Sequence, residues 1–172
     1  MDRLFSPWRA EHVKRVATEA TPDLSVFSRM TAENDDAKNY ILWRGTSVFV
    51  VLNLYPYTNG HLMVVPYRQV ADYVDLSHDE IIETAVTVQT SIAWLRSIMN
   101  PNGFNIGVNL GQAAGAGIEN HIHTHIVPRW SGDTNFTTTI GDYRVVPEEL
   151  DLTYQKLLKA VASIPVVVPS LP

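Results

Sequence analysis

Three of the chain's six histidines fall within five residues, at His121, His123 and His125, with Ile122 and Thr124 between them and Ile126 beyond. In a β-strand, side chains at i, i+2 and i+4 leave on the same face, roughly 6–7 Å apart. The spacing therefore predicts three imidazoles on one surface, with Ile122, Thr124 and Ile126 on the other. Three chemistries compete for such a strand. The rings could be half-buried structural groups, although desolvating three imidazoles side by side has no packing advantage over Val or Thr. They could bind a metal, since a His-x-His pair can reach one zinc ion. Adjacent members of the set converge more easily than all three, however, and no Asp or Glu lies within seven residues after the triplet. Or one ring could act as a nucleophile at phosphorus. A neutral imidazole is abundant at pH 7, and its second nitrogen can be held by a hydrogen bond that fixes the tautomer. Its neighbours would then donate to phosphate oxygens as charge builds on the leaving group.

Such a strand needs a sheet to hold it, and the chain supplies one. Ser47–Leu54 and His61–Tyr67 read as two strands around the turn chemistry of Tyr55-Pro56-Tyr57-Thr58-Asn59-Gly60. Ser77, three residues before Glu80, is a capping signal, and Ile81, Ala85, Val88, Ile92 and Leu95 recur at helical spacing, which predicts a main helix running to about Met99. Asn100-Pro101-Asn102-Gly103 stops it, Phe104–Leu110 alternates as a strand, and the small residues Gly111–Gly117 lead into the histidines. Pro147–Ala162 reads as a final helix. Residues 1–46 read as an irregular N-terminal arm, with Thr31–Asp36 a solvated turn, and residues 163–172 as a tail that packs on a partner subunit or trails. The expected fold is α+β: one domain over 1–172, an antiparallel sheet with one main helix and a C-terminal helix.

The bulk composition narrows the function. At 172 residues and 45% hydrophobic content, the chain can bury one sizeable core. A net charge of −5 argues against general nucleic-acid binding, which draws its affinity from clustered Lys and Arg. There is no cysteine, hence no disulfide, thiolate nucleophile or thiolate metal site. The N-terminus has an acid and a proline where a secretory peptide has an apolar run, and no stretch approaches the length of a membrane span, so a cytoplasmic location is the default expectation.

Other polar residues near these strands have two readings each. Asn109, beside Gly111, reads first as a turn residue. His61, after Asn59-Gly60, reads as a polar strand-edge residue or a partner of the triplet. Asn53 sits among Val50, Val51, Leu52 and Leu54, where a buried amide needs a hydrogen-bond partner or a ligand. Arg129 is a phosphate fork or a surface charge, and Trp130 a core residue or a stacking platform.

The triplet followed by Ile126 and Val127 resembles the His-x-His-x-His-x-x signature of the histidine triad family. Val51–Pro66 is similar to that family's first strand pair, and Phe104–Gly111 to its penultimate strand, so that the resemblance spans roughly residues 46–130. It implies an antiparallel α+β fold, a homodimer or tetramer, and action on nucleotides at the α-phosphate. It further implies that His123 is the nucleophile forming a nucleotidyl-histidine and that His121 orients it, partly through its backbone carbonyl. His125 and Asn109 would contact the phosphate, His61 would support the triad, and Asn53 would hydrogen-bond the ribose. No metal is implied at the triad, and no cofactor beyond a divalent cation carried by a polyphosphate substrate.

His125 and Thr124 separate the chain from the sugar-phosphate uridylyltransferase branch. Four residues before His121, where many family hydrolases carry Gln or Ser, stands Gly117, next to Ala116. A loop without side chains leaves space and exposed amides near the phosphates. Ala113–Gly117, Pro128-Arg129-Trp130 and Asp133-Thr134-Asn135-Phe136 are similar to the bacterial diadenosine tetraphosphate phosphorylase branch, in which inorganic phosphate rather than water is the acceptor. That likeness tilts Trp130 toward the substrate. Relatives there often carry a Cys-x-x-Cys zinc pair where this chain has Ser25-Val26-Phe27-Ser28, which implies that the structural zinc has been lost.

Overall fold

The computed structural model describes residues 24–134 and 148–169. Five strands, β1 (Ile41–Arg44), β2 (Val48–Leu52), β3 (Leu62–Pro66), β4 (Gly103–Val108) and β5 (Thr124–Arg129), form one sheet in the order β1-β2-β3-β5-β4. Every neighbouring pair is antiparallel. Helix α1 (Val26–Glu33) precedes β1, α2 (His78–Met99) joins β3 to β4, and α3 (Leu150–Ser163) is the last of the described elements. No helix among the described residues is long and apolar enough to cross a membrane.

The alternation of β2 and β3 sorts two cores onto the two sheet faces, because successive side chains point to opposite sides. Val48, Val50, Leu52, Leu62, Val64 and Ile126 face α2 and α3, where they meet Trp94, Leu95, Tyr154 and Leu157. Phe49, Val51, Met63 and Val65 face the other way and meet Phe27 of α1 together with Ile41. Both strands are buried along their whole length, so their ladder lies between two apolar layers.

The predicted main helix is present with its start and stop. Ser77 accepts from the Glu80 amide while the Glu80 carboxylate accepts from the Ser77 amide, and Asn100 closes the helix in a left-handed conformation. Its buried line differs from the predicted apolar stripe. Glu80, Glu83, Thr87, Ser91, Trp94 and Leu95 are buried, whereas Ile81, Val88 and Ile92 are half-buried and Ala85 is exposed. Two carboxylates account for the difference. Glu83 accepts from the amides of Thr46 and Ser47 at 2.8 and 2.6 Å, which ties the β1–β2 turn to the helix. Glu80 accepts from Arg68 at 3.1 and 2.7 Å. A methyl group at Gly45 would stand 2.2 Å from the Glu83 carboxylate and 2.3 Å from the Trp43 ring, so only glycine admits this contact.

Residues 24–46 depart from the predicted irregular arm, since they build α1 and β1; residues 1–23 lie outside the described chain. Thr31-Ala32-Glu33 is the last turn of α1 rather than a loop, and only Asn34 onward turns. Helix α1 is short, capped by Ser25 and held by burial of Phe27, a tertiary contribution invisible in local propensity. Past α3, Ile164 and Val166 pack on the chain's own core, and the Ile164 carbonyl accepts from the Trp94 indole at 2.7 Å. The tail up to there is therefore fastened to the chain's own core.

Removing the buried Glu83 carboxylate takes the acceptor from two turn amides and empties its place in the core. Glu83→Ala should lower unfolding stability by about 2–4 kcal/mol in a urea titration, with Glu83→Gln, which keeps one acceptor, losing less than half of that.

Candidate active site

The histidine segment lies on the α1 side of the sheet, where Met63 and Gly107 are the register partners of His125. The strand itself begins at Thr124, so only His125 sits within the regular ladder; His121 and His123 precede it in irregular backbone, a departure from the predicted three-histidine strand. The rings nonetheless follow one another along one side. Phe27 packs against both His121 and His123, with ring centroids 5.5 and 5.1 Å away, and His123 and His125 are 4.7 Å apart. All three are buried, as is His61.

Irregular backbone frees His121 to turn toward the chain's interior. The Ile122 amide donates to the Val70 carbonyl at 2.7 Å, which clamps the segment to the strand β3 exit. His121 Nε2 donates to the Pro66 carbonyl at 2.8 Å, and its Nδ1 lies 2.5 Å from the Ser25 hydroxyl. Pro66 offers only an acceptor, so the ring proton resides on Nε2 and Nδ1 accepts from Ser25. His123 Nδ1 lies 2.9 Å from the His121 carbonyl and must donate to it for the same reason. The proton of neutral His123 is thereby placed on Nδ1, and Nε2 keeps its lone pair. Burial pushes the pKa of both rings below the ordinary imidazole value, with the Pro66 and His121 carbonyls opposing only in part. The neutral ring, with its lone pair on Nε2, is thus the resting form of His123.

A second relay fixes His125. The Tyr57 amide donates to His61 Nδ1 at 3.1 Å, and the Asn53 amide nitrogen lies 3.2 Å from the same atom. His61 therefore carries its proton on Nε2, 2.9 Å from His125 Nδ1, and donates to it. The remaining His125 proton is on Nε2, suited to donate to an anionic oxygen. Gly60 sets His61 in place: it adopts a φ of 73°, and a methyl group there would stand 2.7 Å from the Met99 sulfur.

Beside His125 an open cleft is lined by Tyr57, Asn105, Gly107, Asn109 and Arg129. Asn109 thus joins the triad's neighbourhood, as does Asn53 through His61. Ala116 is half-buried and Gly117 exposed in the loop before His121, and a side chain at Gly117 would meet nothing within 4 Å. Trp130 stands at the far end of β5, five residues beyond His125, half-buried, with its amide donating to Asp133 at 3.1 Å. Arg129 resolves toward structure: both Asp133 oxygens accept from its fork at 2.6 and 2.7 Å, and Asn105 accepts a third bond at 2.6 Å. This pairing holds the Asp133 carboxyl far below the usual carboxylate range. Asn135 and Phe136 lie outside the described residues.

The geometry adds residues with little signal in the sequence. Tyr57, Pro66 and Val70 act through backbone groups, which side-chain identity does not announce, and Gln69 anchors Ser25 from 44 residues away. Ser25 and Ser28 do not fit a structural zinc. Their hydroxyls are neutral and already engaged with His121 and Gln69, and no group of three His, Cys, Asp or Glu among the described residues is arranged to hold a metal.

Comparison with known proteins agrees with this geometry. Residues 34–132 match the HIT domain family. The chain is 39% identical over 155 residues to the AP-4-A phosphorylase of Mycobacterium tuberculosis, covering 87% of this chain and 79% of that protein. Its fold is similar to that of a Zn-bound histidine triad family protein from Mycobacterium smegmatis, with a TM-score of 0.63, 26% identity and coverage of 78% and 92% of the two chains. It is also similar in fold to a Hit-like protein from Bartonella henselae, with a TM-score of 0.65, 18% identity and coverage of 82% and 99%. Matched by the family over more than half its length, and built around the family's three histidines, this chain belongs to the HIT family.

Proposed function

We propose that the protein cleaves diadenosine tetraphosphate by nucleotidyl transfer through His123, with inorganic phosphate as the acceptor. The observation that carries the reading is the placement of the His123 proton on Nδ1 by the His121 carbonyl, which leaves Nε2 as a buried, neutral nucleophile. The 39% identity to an AP-4-A phosphorylase supports the choice of substrate and acceptor.

In the first step His123 Nε2 attacks an α-phosphorus. A P–N bond forms, the bond to the bridging oxygen breaks, and ATP departs with that electron pair. His125 Nε2–H donates to a phosphate oxygen as charge develops, and Asn109, on the same cleft, donates beside it. His121 is a positioning residue that holds the nucleophile's tautomer. In the second step a phosphate oxygen attacks the adenylyl phosphorus, the P–N bond breaks, and ADP leaves with His123 neutral again. Water in place of phosphate would yield AMP. The exposed, side-chain-poor loop at Gly111–Gly117 gives a second anion room to approach. Asn53 is read as reaching the ribose from its place beside His61. Among the described residues strand β4 pairs with β5 alone and leaves Ile106 exposed, which supports assembly of the protein as a homodimer through that edge.

Incubating the purified protein and diadenosine tetraphosphate with ³²P-labelled phosphate should place the label in ADP, with unlabelled ATP as the other product. Label-free AMP would make the protein a hydrolase, and no turnover would refute the substrate. His123→Ala should lower kcat by about 10³-fold or more and abolish the acid-labile, alkali-stable adenylyl-enzyme trapped in an alkaline quench, while the protein keeps its fold.

A pH effect follows from burial. Because the folded pKa of His123 is depressed, log(kcat/KM) should stay level down through the ordinary imidazole value near 6.5 and decline only below it; an acid limb centred above pH 7 would contradict the assignment. Stability carries the same sign. His121 and His123 bind protons more weakly folded than unfolded, so their contribution is complete above pH 6.5 and is lost as pH falls toward their folded values, which an unfolding series across pH 5–7 measures.

A further inference from the structure

The nucleophile's tautomer depends on a carbonyl, and a carbonyl is only as fixed as its residue. His121 is held at three points: its ring Nε2 on the Pro66 carbonyl, its neighbour Ile122 on the Val70 carbonyl, and its ring Nδ1 on the Ser25 hydroxyl. The first two partners belong to the sheet and the segment leaving it. The third belongs to α1, 96 residues away in sequence, and is the one side chain of the three.

The protons around Ser25 can be counted. Gln69 Oε1 accepts from the Ser25 amide at 2.8 Å and from the Ser28 hydroxyl at 3.1 Å, so the Ser28 proton is spent away from Ser25. The Ser25 oxygen accepts from the Ser28 amide at 3.1 Å, as the cap of α1. Its own single proton remains, and His121 Nδ1 at 2.5 Å is the acceptor for it. Ser25 is 4% exposed, His121 is fully buried, and water has little access to replace the bond.

We infer that Ser25 is a positioning residue for the phosphoryl-transfer chemistry: by donating to His121 Nδ1, it locks the His121 ring and so fixes the carbonyl that holds the proton of His123. Ser28 and Gln69 direct that donation. The inference rests on His123 being the nucleophile.

Three substitutions separate this role from the helix cap. Ser25→Ala removes both the cap and the donor, Ser25→Asp keeps an acceptor for the Ser28 amide but has no proton for Nδ1, and Ser25→Thr keeps both. Ser25→Ala and Ser25→Asp should each lower kcat about tenfold or more with KM changed less than about twofold, and Ser25→Thr should return kcat to within about twofold of the parent. Long-range ¹H–¹⁵N spectra should show His121 protonated on Nε2 alone in the parent and Ser25→Thr proteins, and altered at Nδ1 in Ser25→Asp. A Ser25→Asp protein with parental kcat would reduce Ser25 to a helix cap, and an unchanged His121 spectrum in that protein would remove the donor role. Failure of the diadenosine tetraphosphate reading would show differently, as an inactive parent protein, while the imidazole spectra would still report on Ser25.

Discussion

A carbonyl oxygen can accept a hydrogen bond and never donate one, and the site depends on that asymmetry. The Pro66 carbonyl takes the Nε2 proton of His121, and the His121 carbonyl takes the Nδ1 proton of His123. Each neutral ring has one proton, so fixing one nitrogen as donor defines the other as acceptor. Backbone amides do the converse at His61, where the Tyr57 N–H on Nδ1 sends the proton to Nε2 and onward to His125. Two backbone-set relays thereby produce opposite outcomes on neighbouring rings: a lone pair on His123 Nε2 and a proton on His125 Nε2. The two rings thus offer an acceptor and a donor side by side.

Burial makes the arrangement consequential. In water, imidazole tautomers interchange and protonation near pH 6.5 would remove the free lone pair. Under Phe27 and between the loops that leave β3 and enter β5, the charged form of His123 is disfavoured and each ring nitrogen needs a defined partner. Helix α1 therefore has two tasks. It covers the second core with Phe27, and its capping residue Ser25 reaches His121. Core packing and the hold on His121 thus share one short helix and its cap.

The opposite face follows a different logic. There α2 presents Glu80 and Glu83 to the loops beside the sheet, because backbone amides of a tight turn must find acceptors once buried. A purely apolar stripe would have left those amides unsatisfied. Thr87 and Ser91 continue the buried line toward Trp94 and Leu95. Glu80 and Glu83, by contrast, answer to the loops they hold.

Much of this was legible in the chain. The apolar runs of β2 and β3, the Ser77–Glu80 capping box, the Asn100 stop and the close spacing of the three histidines are local features, which sequence states directly. What the chain alone did not state was α1, whose helix is held by Phe27 contacts, the buried face of α2, and the identity of each proton's owner. Those depend on partners 55, 64 and 96 residues apart, and no periodicity encodes a meeting at such separation. Sequence determined which groups were present and how closely they were spaced; only the folded backbone, by bringing Pro66, Ser25 and Tyr57 against particular ring nitrogens, decided which nitrogen keeps a lone pair and which carries a proton.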